Sequence, residues 1–303
     1  MRAATAVVTR TVPVICNCGA GGGHSRQALD RLRDAFAEAG IEAEVATPPP
    51  GGSLREVAQG LLKERPAVLV AAGGDGTVSA VADLVRGTDT ALGVLPMGTL
   101  NHFAKDLGIP LDAVEAARVI ARGRRASVDV GEVNGRAFIN NASLGLYPGL
   151  VLHRDRQQRR LRRSKRAAML WATLAVLQRP PYLDLRLELD GRVQSCVAPF
   201  VFIGNNEYSL EGFDIGTRER LNGGELNVYT APRSSTGGLI RLALRAIFGR
   251  LRQAEDFIHA SARSLRVASR KRRLLVATDG EIQPMQTPLE FRVLPRALEV
   301  IVP

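Results

Sequence analysis

The clearest chemical signal in the sequence is a run of glycines with an aspartate and a threonine, Gly73-Gly74-Asp75-Gly76-Thr77. The run follows apolar residues 68–72, which predict a buried strand, and precedes a segment of helical spacing that begins near Val78. Glycines let backbone N–H groups approach phosphate oxygens, and the start of the following helix adds partial positive charge. Asp75 would repel phosphate unless a Mg²⁺ ion or a water molecule lies between them. The run therefore predicts a phosphate-binding loop; an ordinary glycine-rich turn capped by Asp75 is the alternative.

A second loop of the same kind follows the next predicted strand, residues 91–95. It reads Pro96-Met97-Gly98-Thr99-Leu100-Asn101-His102-Phe103-Ala104 and supplies a glycine, a hydroxyl and an amide. Open α/β sheets bind ligands at the carboxyl ends of their parallel strands. The two loops together predict one nucleotide site, and the sequence has no G-x-x-x-x-G-K-[ST] loop that would offer another.

The two loops, GGDGT and P-x-G-T-x-N-x-F-A, resemble the catalytic domain shared by diacylglycerol kinases, sphingosine kinases and ceramide kinases, while NAD kinases share the GGDGT part. The resemblance continues in the same order at residues 138–145, at residues 201–206 and at Thr278-Asp279-Gly280-Glu281, so it covers nearly the whole chain. It implies a lipid kinase that depends on ATP and Mg²⁺ and transfers the γ-phosphate to the hydroxyl of a diacylglycerol-like lipid. In that family ATP is bound between two domains.

The resemblance also implies which residues bind the nucleotide. By matching position they are Asn17, Thr47, Gly73, Gly74, Asp75, Gly76, Thr77, Gly98, Thr99 and Asn101. Asn17 and residues 19–23 stand where family members carry N-P-x-x-G, and Cys18 replaces the proline. Because proline restricts the backbone, we expect this turn to be more flexible than the proline-containing turn of the family.

Transfer to a lipid hydroxyl calls for a carboxylate, because the hydroxyl has to lose its proton as it attacks phosphorus. We expect Glu281 to be this base. Asp279 would hold Mg²⁺-linked water or orient Glu281, although the opposite assignment stays open, and Asp279-Gly280 on its own also predicts a hairpin turn. The predicted catalytic residues are therefore Glu281, Asp279 and Asp75.

The sequence departs from the family at a predicted metal site. Family members often carry L-D-D-G-x-L-D-V, in which a carboxylate and backbone carbonyls hold a structural Mg²⁺, whereas residues 221–228 read L-N-G-G-E-L-N-V. Gly223 replaces the expected carboxylate. Asn222 or Glu225 would then be the oxygen ligand of a weaker site.

The elements that position these residues follow two different patterns. Residues 12–122 alternate apolar strand-like runs with helical spacing, which predicts a Rossmann-like parallel sheet flanked by helices. After residue 125, Asn134-Gly135 and Asp190-Gly191 predict hairpin turns, the second joining residues 183–189 to a single return strand over 193–202. Helices are expected near 164–178 and 236–249.

These patterns predict an α/β chain with two domains, and the resemblance implies that the fold is of the NAD kinase/diacylglycerol kinase kind. Residues 1–125 would form the nucleotide-binding domain and residues 126–288 a mostly antiparallel β-sandwich that binds the lipid. By resemblance, the last strand, within residues 289–303, packs back on the first domain.

The charge of the chain favours anionic partners. It has 41 Lys and Arg against 30 Asp and Glu, a net charge of +11. Residues 154–166 hold eight of these basic residues and precede an apolar segment from Ala167, which is too short to span a bilayer. The stretch predicts either peripheral contact with an anionic membrane or a solvated loop before a core helix. With no secretory signal and no CxxC pairing, the expected location is the reducing cytoplasm.

Two other functions compete with a lipid kinase. A soluble kinase like the NAD kinases would use GGDGT in the same way, but residues 97–104 favour the lipid branch because NAD kinases resemble N-x-G-x-L-G-F there. A non-enzymatic nucleic-acid-binding protein would use residues 154–166, yet that stretch lacks interleaved aromatic residues. We therefore expect a nucleotide and a lipid as partners, and no nucleic acid.

Overall fold

Short apolar runs near the N-terminus form the strands that the sequence predicts. The computed structural model of the protein describes residues 11–17, 26–49, 51–146, 148, 182–209, 217–230, 238 and 257–303. Within these ranges the N-terminal elements are, in chain order, β1 (Thr11–Cys16), α1 (Arg26–Glu38), β2 (Glu42–Ala46), α2 (Leu54–Leu62), β3 (Val68–Gly73), α3 (Asp75–Val85), β4 (Ala91–Pro96), α4 (His102–Asp106) and α5 (Ala113–Arg122).

The first four strands form a parallel sheet in the order β2-β1-β3-β4. Every residue of β3 and β4 is buried, as expected for strands covered on both faces. The register sets Ala46 opposite Ile15, Ala72 opposite Cys16 and Pro96 opposite Gly73. Because all four strands run in the same direction, the loops that follow them share one edge of the sheet.

Local signals in the sequence fix the ends of the helices. The Ser53 hydroxyl accepts a hydrogen bond from the Glu56 amide at 3.4 Å and begins α2, as the Ser-x-x-Glu pattern predicts. Asp112 accepts from the first amides of α5 in the same way. That helix ends at Gly123, whose φ of 66° few other residues adopt without strain.

The chain divides into two compact units, unit 1 (Met1–Val128 and Arg296–Pro303) and unit 2 (Asp129–Pro295). Two strands cross this division, β5 (Arg125–Val133) and β16 (Leu289–Ile301). The last residues of β16 extend the parallel sheet of unit 1, where Val300 lies opposite Leu92 of β4.

Unit 2 is built from antiparallel strands. They are β6 (Arg136–Phe138), β7 (Asn141–Gly145), β8 (Leu183–Leu189), β9 (Arg192–Ala198), β10 (Phe200–Asn205), β11 (Leu226–Thr230), β12 (Ile258–Ala262), β13 (Ser264–Ser269), β14 (Arg273–Thr278) and β15 (Glu281–Gln286). One sheet has the order β12-β11-β10-β7-β14-β15, and a second contains β16-β13-β8-β9. Aliphatic and aromatic side chains from both sheets form a shared core, among them Leu144, Ile203, Val228, Leu187, Val267 and Phe291. This is the β-sandwich that the sequence predicts.

Three hairpins of unit 2 turn at an Asn-Gly or Asp-Gly pair with positive φ at both residues. The pairs are Asn134-Gly135 (47° and 84°), Asp190-Gly191 (45° and 84°) and Asp279-Gly280 (46° and 86°). These angles match type I′ turns, whose twist suits the flanking strands. The hairpin turns predicted from the sequence are therefore confirmed.

The predicted single return strand over residues 193–202 is wrong. Pro199 divides this run into β9, which pairs with β8, and β10, which pairs with β7 and β11 in the other sheet. Proline has no N–H with which to continue the ladder of β8 and β9. Its carbonyl accepts instead from the Leu146 amide at 3.0 Å.

Several expectations concern residues outside the described ranges, namely the basic stretch 154–166, the apolar segment from Ala167, the turn at 19–23 and the helices near 164–178 and 236–249. No helix of the described part is long and apolar enough to cross a membrane. Cys16 takes part in a disulfide bond, which the cysteine spacing did not predict, while Cys196 is a free thiol.

Candidate active site

The GGDGT run forms a tight connection between β3 and α3. Gly73 is the last residue of the strand, and Gly74 is the N-cap of a helix that begins at Asp75. The amides of Thr77 and Val78 donate to the Gly74 carbonyl at 2.9 and 3.1 Å. The amides before them, at the very start of the helix, have no intrahelical acceptor, so they remain available to an anion.

The second predicted loop lies directly against the first. The Met97 amide donates to the Gly73 carbonyl at 2.9 Å. A Cβ added to Gly98 would lie 2.5 Å from the Cα of Gly74, and a Cβ added to Gly74 would lie 3.3 Å from the Cα of Gly98. Only glycine permits so close an approach of two backbones. The structure thus brings the two loops together.

Gly76 differs from these glycines because no steric contact requires it. A Cβ at this exposed helical position would meet nothing within 4 Å. Gly76 lies in the first turn of α3, where the first amides have no intrahelical acceptor. Because glycine has no side chain, these amides stay open to the approach of a phosphate group.

Asn101 shapes the second loop. Its backbone is left-handed, with φ of 50°, and the residue is 6% exposed. Its Oδ1 accepts from the Gly98 amide and its Nδ2 donates to the Gly98 carbonyl, both at 2.9 Å. Thr99, between them, is exposed. In this structure the Asn101 amide fixes the loop, and Thr99 is exposed together with Met97 and Leu100.

The remaining nucleotide candidates follow the other two strands of unit 1. Thr47 comes directly after β2 and is half-buried. Asn17 comes directly after β1, and its amide donates to the Ala72 carbonyl at 3.1 Å. All ten predicted nucleotide-binding residues therefore lie at the carboxyl edge of one parallel sheet.

An ion pair fastens α3, the helix that begins in the phosphate loop, to α2. The Arg55 guanidinium lies 2.5 Å from Asp83 Oδ2, and Arg86 Nε donates to Asp83 Oδ1 at 3.1 Å. Burial works to raise the pKa of the Asp83 carboxyl, but its hydrogen bonds and charge contacts with Arg55 and Arg86 outweigh burial and lower that pKa. Asp83 is therefore held in its charged form.

In unit 2, Asp279 has an internal role. Its carboxylate accepts three backbone hydrogen bonds, from Ile139 and Asn140 at 2.8 Å each and from Asn141 at 3.1 Å. The Asp279 amide in turn donates to the Asn141 carbonyl at 2.9 Å. These bonds tie the turn of the β14–β15 hairpin to the connection between β6 and β7.

Glu281 begins the next strand and faces solvent, with 61% of its side chain exposed. Its Oε2 accepts from the guanidinium of Arg136, which also donates to Thr278 Oγ1 at 3.1 Å and to Gln283 Oε1 at 2.9 Å. Arg136 was not predicted from the sequence, because only the folded hairpin brings it beside Glu281. The two acidic candidates therefore have different surroundings. The Asp279 carboxylate accepts hydrogen bonds from the backbone of unit 2, whereas most of the Glu281 side chain is exposed to solvent.

The predicted metal ligands do not converge. Asn222 is exposed, and Glu225 Oε1 accepts from Asn227 Nδ2 at 3.3 Å. The described residues contain no group of three or more His, Cys, Asp or Glu side chains that could hold a metal ion. A carboxylate at position 223 would be crowded, since a Cβ there would lie 2.8 Å from Asn206 Oδ1.

Direct hydrogen bonds close the same loop. The Gly223 amide donates to Asn206 Oδ1 at 2.7 Å, and the Gly224 amide donates to Asp129 Oδ2 at 2.6 Å. The Asn206 amide donates to the Glu225 carbonyl at 3.0 Å. These residues do not fit the structural Mg²⁺ that the resemblance implies, because direct hydrogen bonds hold the loop.

Comparison with known proteins identifies the fold and the family. Residues 11–133 match the diacylglycerol kinase catalytic domain, and residues 150–302, half of the chain, match the YegS C-terminal NAD kinase beta sandwich-like domain. The chain belongs to the diacylglycerol kinase family. It is therefore a lipid kinase, a phosphotransferase with an alcohol group as acceptor.

Individual relatives span nearly the full length of the chain. A diacylglycerol kinase of Bacillus subtilis is 29% identical over 297 residues, 96% of this chain and 95% of the relative. One of Staphylococcus aureus is 29% identical over 269 residues, 88% and 84% of the two chains. The crystal structure of a putative diacylglycerol kinase from Bacillus anthracis has a TM-score of 0.74 at 23% identity and covers 97% of both chains. The predicted fold class is confirmed.

Proposed function

We propose that the protein transfers the γ-phosphate of ATP to a hydroxyl of diacylglycerol or a closely related lipid, with Mg²⁺ accompanying the nucleotide. The observation that carries this proposal is the open space at Gly76, next to two loops whose glycines approach backbone to backbone. The named activity of the Bacillus subtilis and Staphylococcus aureus relatives supports the choice of lipid.

Unit 1 is assigned the nucleotide. Backbone amides at the start of α3 would donate to phosphate oxygens, and the positive end of the helix would favour their charge. The Asp75 carboxylate lies in the first turn of α3 and is a hard oxygen ligand of the kind that Mg²⁺ prefers. When bound, the ion would neutralise charge on the phosphates. Thr99 would add a hydroxyl donor from the second loop.

In this proposal, unit 2 supplies the proton acceptor and binds the lipid. Arg136 binds one oxygen of Glu281, while Oε1 accepts no hydrogen bond from the part of the chain that the structure describes. A carboxylate that is oriented through one oxygen and open at the other can take the proton of an attacking hydroxyl. Asp279, whose oxygens accept three backbone amides, is assigned the orienting role.

We propose that the enzyme meets its lipid acceptor at an anionic membrane surface. The net charge of +11 favours such a surface, and the basic stretch 154–166 is the segment of the sequence best suited to contact it. Peripheral contact of this kind would let a lipid hydroxyl reach the enzyme without a membrane-spanning segment.

The test is to incubate the protein with ATP labelled at the γ-phosphate, Mg²⁺ and a total lipid extract, and then with vesicles that contain single candidate lipids. We expect label in phosphatidic acid from diacylglycerol, identified by chromatography and mass spectrometry. Monoacylglycerol, phosphatidylglycerol and sphingosine serve as alternative acceptors. Labelled NADP from NAD, without labelled lipid, would contradict the proposal.

Two valine variants form a matched pair for this assay. Gly76→Val fills the open space beside α3, whereas Gly60→Val fills open space on α2, where no ligand is proposed. Neither side chain would meet a protein atom at Cβ, so the cost to folding should be similar. We expect Gly76→Val to lose lipid phosphorylation by more than about tenfold and Gly60→Val to keep it. Equal activity of the two variants would place the phosphates elsewhere.

A further inference from the structure

The stretch Ile139-Asn140-Asn141, which joins β6 to the first residue of β7, is held from two sides by charged side chains of unit 2. On its amide side, the Asp279 carboxylate accepts all three N–H groups. A single carboxylate thus fixes all three residues of this stretch, which we call the 139–141 segment.

On the carbonyl side, the partner is Arg218. Its Nη1 donates to the Ile139 carbonyl at 2.7 Å and to the Asn205 carbonyl at 3.0 Å, and its Nη2 donates to Asn140 Oδ1 at 2.8 Å. Asn205 adds two further bonds, from Nδ2 to the Ile139 carbonyl at 3.0 Å and from its amide to the Asn140 carbonyl at 2.9 Å. The planar guanidinium group of arginine can donate hydrogen bonds to several acceptors at once, whereas the ammonium group of lysine would replace only some of these bonds.

Arg218 is buried at 5% exposure, and its guanidinium lies 5.2 Å from the centroid of the Tyr208 ring. Removing a guanidinium from water is costly, and buried ionic groups often stabilise a fold no better than apolar residues of similar size. A stabilising role alone therefore gives a weak reason for an arginine here. The geometry of its donors gives a stronger one, because they converge on the segment that Asp279 holds from the opposite side.

We propose that Arg218 is a positioning residue for phosphoryl transfer. It fixes the 139–141 segment from the carbonyl side, so that the three amides keep pointing towards the Asp279 carboxylate. The Asp279-Gly280 turn in consequence holds Glu281 in place. This inference rests on the proposed role of Glu281 as the proton acceptor.

The path from Arg218 to Glu281 is short and rigid. Asp279 sits at φ 46° in a tight turn, and Thr278 on one side of that turn pairs with Glu281 on the other. Thr278 also pairs with Ala142, immediately after the segment. A displacement of the segment would therefore move the hairpin turn, and a shift of about 1 Å in a catalytic group can lower the rate on the order of 100-fold.

The experiment compares Arg218→Lys and Arg218→Met with Arg220→Lys and Arg220→Met. Arg220 is an exposed arginine two residues away and serves as the matched control. The readouts are kcat and KM for ATP, the fraction folded, and hydrogen exchange at the amides of the 139–141 segment. If Arg218→Met fails to fold, Arg218→Lys carries the test, because it retains the charge and one set of donors.

For Arg218→Lys we expect kcat per folded molecule to fall by about 10- to 100-fold, with KM for ATP within about twofold of wild type. Exchange of the three segment amides should accelerate at least about tenfold, and the Arg220 variants should change neither quantity. Unchanged exchange at these amides, or a loss of activity that only follows the unfolded fraction, would overturn the inference while leaving the lipid kinase intact. A wild-type protein that phosphorylates no lipid would instead overturn the proposed function, and with it this role of Arg218.

Discussion

Gly74 and Gly98 meet backbone to backbone, so closely that a Cβ on Gly98 would lie 2.5 Å from the Cα of Gly74. This approach joins the loop after β3 to the loop after β4. Each loop alone is an ordinary connection between a strand and a helix. In contact, they form a continuous glycine-lined surface beside the start of α3.

Gly98→Ala should force the two loops apart, because the obstructing atom belongs to the backbone and cannot rotate away. We expect a loss of about 1–3 kcal/mol in the free energy of unfolding, measured in urea, together with a rise in KM for ATP. Gly60→Ala is the control, since its methyl group enters open space on a helix and should be neutral or stabilising. Equal stability of Gly98→Ala and wild type would show that the loops can separate at no cost.

Asp75→Asn should leave the fold intact, because this half-buried residue lies in the first turn of α3 and asparagine has nearly the same size as aspartate. We expect lipid phosphorylation to fall by more than about tenfold, since the variant loses a charged oxygen ligand for the nucleotide-bound ion. Thermal unfolding and activity at several Mg²⁺ concentrations are the measurements. Activity above a tenth of wild type would contradict a direct role for this carboxylate.

Glu281→Gln and Asp279→Asn should separate chemistry from structure. In Glu281→Gln we expect kcat to fall by about 10²–10⁴-fold with little change in stability, because the exposed side chain keeps its size but cannot take a proton. In Asp279→Asn one oxygen and one NH₂ group would face three N–H donors, so the free energy of unfolding should fall by about 1–3 kcal/mol. A normal kcat in Glu281→Gln beside an inactive, stable Asp279→Asn would transfer the base to Asp279.

The contribution of Asp83 to the stability of the protein should be lost in a defined range of acidic pH. Its pKa is lower in the folded protein than in the unfolded chain, so its contribution to stability is complete above the unfolded value of about 3.9 and is lost as the pH falls through the folded value. At pH 7, Asp83→Asn should therefore be less stable than wild type in urea. The difference should shrink as the pH falls from 4 towards 2, and a constant difference would contradict this account.

The basic stretch offers a prediction about membranes. Replacing Arg159, Arg160, Arg162 and Arg163 together by glutamine should weaken sedimentation with anionic vesicles, since each basic residue near such a surface contributes on the order of 1 kcal/mol. KM for ATP should not change. Binding that is equal to wild type would identify the stretch as a solvated loop.

Local patterns in the sequence were sufficient to predict the turns and helix ends that neighbouring residues determine. The Asn-Gly and Asp-Gly pairs predicted three hairpin turns, because only such pairs adopt positive φ at both positions at low cost. Ser53 and Glu56 predicted the start of α2 for a similarly local reason. Glycine-rich loops after apolar strands predicted the nucleotide edge of the sheet, since parallel strands present their carboxyl ends together.

Contacts between distant residues could not be predicted in this way. Arg136 reaches Glu281 across 145 positions, and Arg218 reaches Ile139 across 79, so no periodicity in the sequence relates them. Pro199 lies inside an apolar run that predicts a single strand, although its missing N–H ends the ladder of one sheet and the chain continues in the other. Asp279 carried a turn signal, but its three amide partners belong to a different part of unit 2.

The bonds between Asp279 and the 139–141 segment also hold the turn that sets the register of the hairpin carrying Glu281. Side chains alternate faces along a strand, so a slip of one residue between β14 and β15 would exchange Glu281 with its neighbour Ile282. If the slip moved the turn, it would also break the three hydrogen bonds that Asp279 accepts. Insertion or deletion of one residue within 139–141 should therefore act as a catalytic defect, although no residue of that segment needs to touch a substrate.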